Sequence, residues 1–195
     1  MLTWTLVLFF FCSAAATPGL RCDWLEHYGH YSNWTLVLVE QLGGPMTEQE
    51  SPVSFPYRLY EQMRSAKVDD RLLFIRDSLD LISGLFEPAD PSVSLPPWQT
   101  DRSQDFLLLL HRQTDGLNNT CSVCVCNDTY IVCVCVCVCV CVCVCVCVCV
   151  CVQGGAAASW ELIRRETKSH LLQLDLLFAS IRGSAAASRG RSAAR

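Results

Sequence analysis

His27 and His30 stand three residues apart, and two imidazoles at that spacing can grip a zinc ion. A closed site needs more ligands, and no nearby carboxylate beyond Glu26 falls in a fitting pattern, so the pair reads as solvated or partly buried histidines. His111 and His170 have no companions at ligand spacing. Thiols are more abundant: of 15 cysteines, ten lie in an unbroken alternation with valine from Val132 to Val152. Repeated Cys-x-Cys is a spacing that thiolate metal clusters use. The chain has no Gly-x-Ser-x-Gly, no phosphate loop, no dinucleotide fingerprint and no His-Glu-x-x-His. No cofactor is implied, and the residues point away from an enzyme and toward a function carried on a surface.

The Cys-Val run has two further physical readings. As a helix its 21 residues would reach about 30 Å, the thickness of a bilayer core. As a strand it would set valines on one face and thiols on the other. A perfect two-residue period has a simpler source, because a TG tract read in frame (TGT-GTG) encodes Cys-Val. The segment from about Ser122 to Val152 therefore reads as a low-complexity insert foreign to the fold, from a retained intron or a misassembled gene. Sequencing the transcript across Asn119 to Ala156 tests this; a spliced message encoding the repeat would refute it. If translated, ten clustered thiols would exchange with structural cysteines, and an uncharged Val-rich strand invites aggregation.

The elements that must position any surface are legible around this run. The 195 residues suffice for one domain with a real core, and a net charge of −4 gives no general pull toward nucleic acid or an anionic membrane. Met1 to Ala16 has the apolar stretch Leu6–Phe11 and the small residues Ser13–Ala16 of a secretory signal peptide, implying an extracellular product whose cysteines can pair. Three Asn-x-Ser/Thr sequons, at Asn33, Asn118 and Asn127, are candidate glycosylation sites in that compartment.

Helical periodicity runs through most of the rest. Over about 22–42, Trp24, Tyr28, Tyr31, Thr35, Leu38 and Leu42 share a face, and Gly43-Gly44-Pro45 ends the helix. A short second helix over about 55–67 is expected, capped by Ser54, with Leu59, Met63 and Ala66 inward. Asp69-Asp70 opens a third over 69–86, its N-terminus acidic as the helix dipole favours, with Leu72, Ile75, Leu79, Ile82 and Phe86 as its stripe. Four prolines between Pro88 and Pro97 make a long connection. A fourth helix, about 103–117, shows Phe106, Leu109, Leu110 and Leu117 and stops at Asn118-Asn119. The last, 156–182, carries Trp160, Ile163, Thr167, Leu171, Leu174, Leu177, Phe178 and Ile181 on one side and Glu161, Arg165, Lys168 and Asp175 on the other. The Ser/Ala/Gly/Arg tail 183–195 is expected to be disordered. Four long helices with long connections after the first and third predict an all-α, up-up-down-down cytokine bundle with one short extra helix.

Cys22-Asp23-Trp24-Leu25, Phe55-Pro56-Tyr57 with Leu59-Tyr60, Ala158-Ser159-Trp160-Glu161-Leu162-Ile163-Arg164-Arg165-Glu166 and Leu171-Leu172-Gln173-Leu174-Asp175 resemble the fish type I interferons, the Trp-Glu-Leu-Ile-Arg segment most specifically. The resemblance covers about Cys22 to Asn119 and Gly154 to Ile181. It implies a secreted antiviral cytokine that bridges two class II cytokine receptor chains and signals through receptor-associated kinases and STAT proteins. It implies one disulfide, here matching Cys22 and Cys121, which would stabilise by about 4–5 kcal/mol in the chain-entropy model. It also implies a further helix where this chain has the Cys-Val run. The runner-up reading from another class is a Cys-rich, membrane-anchored or structural protein using Val132–Val152 as its anchor.

In such a ligand the outer face of the last helix, with Glu161, Arg164, Arg165 and Lys168, is the first candidate for receptor contact. There charge would steer encounter and set specificity more than supply affinity. Arg71, Arg76 and Asp77 on the third helix are the candidates for meeting the second chain. Trp24 and Trp160 are expected in the core.

Overall fold

Apolar residues at steps of three and four, uninterrupted by proline, bury only as helices, and a computed structural model places them so; it describes residues 23–48, 54–87, 98, 100–121 and 157–193. The signal-peptide segment 1–16, the Cys-Val run and Asn127 lie outside the described residues, as do the side chains of Trp24 and of both cysteines of the expected disulfide. Among the described residues there are five helices and no strand: α1 Asp23–Gln41, α2 Tyr57–Ser65, α3 Val68–Phe86, α4 Thr100–Cys121 and α5 Ala157–Ala193. None of them is long and apolar enough to cross a membrane.

The inner stripes of α3 and α5 are those expected: every residue named for them is buried, Trp160 included. In α1 the seam is turned slightly. Tyr28, Ser32, Thr35, Val39 and Leu42 are buried, while Tyr31 and Leu38 are half-buried. In α4 Leu109 is likewise half-buried, and Gln113 and Thr114 take inner positions instead. Gln113 sits there at low cost because its amide donates to Thr35 Oγ1 (2.8 Å) and to the Leu109 carbonyl (3.1 Å).

Three boundaries differ from expectation. Ser54 does not cap α2; Pro56 occupies the N-cap position without any side-chain bond, and the Tyr57 N–H goes to the Phe55 carbonyl (2.9 Å). Proline lacks the donor and has its φ preset, so the first turn closes without help from a hydroxyl. Asn118-Asn119 do not stop α4, which runs on to Cys121; an asparagine costs only about 0.6 kcal/mol in a helix and has no steric block. The tail after Arg182 is not disordered throughout, since α5 continues through Gly183 to Ala193. The alanines there are the best helix formers, and the two glycines, Gly183 and Gly190, cost about 1 kcal/mol each, too little to end a helix already nucleated upstream.

Cross-helix contacts fix the topology. Gln41 meets Arg102 and Thr35 meets Gln113, so α1 and α4 run antiparallel. Glu40 meets Lys168 and Ser32 meets Asp175, so α1 and α5 do too. Arg71 meets Ser180 at the start of α3, and near its end Phe86 touches Trp98, which packs edge-on against Trp160, so α3 also opposes α5. The ring is closed by α3 and α4, with Phe86 on Phe106 (centroids 5.1 Å) and Glu87 paired with His111 (3.3 Å). Neighbours are thus antiparallel and α1 and α3 are parallel on a diagonal, the up-up-down-down arrangement. The short α2 lies in the first crossover and docks on α3 and α5 through Tyr60, whose ring meets Phe74 edge-on (5.5 Å).

Candidate interaction surface

The end of α1 meets the start of α5 at a corner rich in polar contacts. Helix α1 ends at Gln41 with no basic residue in its own last turn. Its last carbonyls therefore carry the negative end of the helix dipole without a local partner. Two arginines from elsewhere supply one. Arg102 at the start of α4 donates to the Gln41 carbonyl (2.9 Å). Arg164 of α5 donates to the Glu40 carbonyl (3.0 Å) and to the Gly44 carbonyl (2.6 Å), and pairs with the Glu161 carboxylate one turn earlier.

This geometry corrects one expectation. Arg164 does not lie on the outer face; it is fully buried, at 0% exposure. The reason is periodicity: 164 is four residues after Trp160 and three before Thr167, both inner positions. An arginine is tolerated there because three acceptors converge on its fork. Its Nε–H meets no acceptor among the described residues.

The other expected residues of α5 do lie toward the outside. Glu161 is half-buried and takes a second hydrogen bond, from the Trp98 indole (3.2 Å). Lys168 spans the seam to the Glu40 carboxylate (2.5 Å), a pair open to solvent on both sides. Arg165 is half-exposed on the back of the helix. Along the same back, at steps of four, three and four from Arg165, come Ser169, Leu172 and Leu176; the leucines are 43% and 52% exposed. These two leucines were missed in the sequence, although their displacement from the inner stripe marked them as apolar residues without a place in the core.

On α3 the three expected residues do not form one outward group. Arg71 leans to α5 and donates to Ser180 Oγ (3.0 Å), while Arg76 and Asp77 pair with each other (2.6 Å). Of the sequons, Asn33 and Asn118 are exposed. Among the described residues no group of His, Cys, Asp and Glu could hold a metal, and the His30 Nε2 accepts the Trp34 indole N–H (3.0 Å).

A bundle of this topology, with a bonded corner and a mixed apolar and basic back, invites comparison with known proteins. Over 182 residues the chain is 32% identical to interferon a3 of Oncorhynchus mykiss, covering 93% of this chain and 98% of the trout protein. The chain belongs to the fish type I interferons. The solved structure of zebrafish interferon 1 has the same fold, with a TM-score of 0.68 and 26% identity over 82% of this chain and 99% of the zebrafish chain. No protein-family model matches the chain. Interferons are cytokines, and this chain is a cytokine of that kind.

Proposed function

We propose that this chain is a secreted antiviral cytokine, a signalling ligand and not an enzyme, that engages a two-chain class II cytokine receptor and triggers kinase–STAT signalling. The observation that carries this reading is kinship with an interferon along nearly the whole chain, joined to the same bundle topology. The first receptor chain seats on the α1–α5 edge. Arg165 and the Lys168–Glu40 pair supply charge that steers encounter, and Leu172 and Leu176 in the same row supply apolar area that leaves water on binding. The second chain seats on the far side, around the Arg76–Asp77 pair of α3.

The test is direct. The purified full chain applied to cells of the same species should induce an interferon-responsive reporter, and Arg165→Glu should raise the half-maximal dose at least tenfold with an unchanged circular-dichroism spectrum. Reporter silence with the folded wild-type chain would remove the cytokine reading. Equal potency of Arg165→Glu would remove the surface assignment alone.

A further inference from the structure

We infer that Arg164, with no exposed atom to offer a partner, is a positioning residue that sets the receptor-facing corner by bolting three segments together. The inference deepens the surface reading above and rests on it. One guanidinium holds the α1 terminus at the Glu40 carbonyl, the following loop at the Gly44 carbonyl, and α5 at Glu161. The residue whose backbone it grips, Glu40, is the one whose side chain pairs with Lys168 on the surface. The outer pair is thus hung from the inner one, and a shift of the α1 terminus displaces both its charges.

Two features make the corner a single device. Glu161 cannot swing away to accommodate a change, because Trp98 donates to one of its oxygens while Arg164 holds the other. Gly43 lies so close that a Cβ there would collide with Glu161 Oε1 and come within 3.0 Å of the Trp98 indole ring. Lysine cannot replace the arginine, since an ammonium is a point donor and cannot span carbonyls from two segments and a carboxylate with a fixed fork.

A mutant cycle on reporter potency tests this, using the full chain on same-species cells. Arg164→Lys keeps the buried charge. It should raise the half-maximal dose at least tenfold while the helical spectrum and cooperative melting persist, and amide hydrogen exchange should accelerate at residues 42–48. Gly43→Ala strikes the same corner without touching a charge and should give the same local exchange signature and loss of potency. Lys168→Gln should weaken the wild type but add little to Arg164→Lys, because the pair it breaks is already displaced. Wild-type potency in Arg164→Lys and Gly43→Ala would overturn the inference. So would full additivity of Arg164→Lys with Lys168→Gln, which is what loss of general stability would produce. If Lys168→Gln and Arg165→Glu were both silent, the surface reading would fall first and take this role with it.

Discussion

His170 shows how much a single buried side chain can couple this fold to its solution. It is 2% exposed, shares a 2.7 Å hydrogen bond between its Nδ1 and the Tyr60 hydroxyl, and lies against the Phe55 ring (4.7 Å). Burial lowers its pKa from 6.5 to about 4, favouring the neutral ring in the folded chain. Between those values the unfolded chain binds a proton that the folded chain refuses, so stability is full above pH 6.5 and falls as pH drops toward 4. The slope is about 1.4 kcal/mol per pH unit, about 3 kcal/mol across the window. Denaturant midpoints at pH 7 and pH 4.5 should therefore differ more for the wild type than for His170→Gln, which keeps an acceptor for Tyr60 and cannot titrate. Equal pH dependence of the two proteins would refute the assignment. The residue scale is also where the sequence misled most. Arg164 sits in a run of charges and reads as part of a wet face, although Trp160 and Thr167 at helical spacing placed it on the seam. What the sequence could not display were its acceptors, carbonyls of another helix's end that meet it only in the folded chain.

At the scale of elements, the stripes of α3 and α5 were readable because each is a continuous row of large aliphatic and aromatic residues, such as Leu72 to Phe86, that has only one way to be buried. The α1 seam was less so: Thr35 lies inward as its spacing suggests, but Ser32 is a buried polar position that only its partner Asp175 in α5 explains. The end of α4 was read from Asn118-Asn119, which lack the force to stop a helix, and that of α5 from the low apolar content of the tail, which does not by itself prevent helix. Gly84 offers a test of such local terms. It lies in the last turn of α3, exposed, with nothing near enough to meet an added Cβ. Gly84→Ala should raise stability by about 0.5–1 kcal/mol by removing unfolded-state freedom, seen as a higher denaturant midpoint. A lower midpoint would mean that α3 needs the glycine's backbone.

For the whole molecule, the long links 42–67 and 87–99 already required parallel helices that are not joined by tight turns, and the ring of antiparallel neighbours fulfils that requirement. The core is assembled from all five helices together with Leu42, Phe55 and Trp98. A chain in which residues 122–155 are replaced by a Gly/Ser linker of equal length should accordingly keep its helical signal and a cooperative melt, since lengthening or softening a loop changes closure entropy only slowly. Loss of the melt would assign the Cys-Val segment a structural duty.

The diagonal placement of α1 and α3 has a consequence for what such a ligand does once held. Their outward corners look away from each other, so a body two helices wide, about 20 Å, always lies between whatever sits on them. Two membrane-tethered proteins captured on those corners would be brought together yet kept from touching through the ligand. The distance separating them, and hence the geometry handed to the domains across the membrane, would be a fixed property of the bundle's girth.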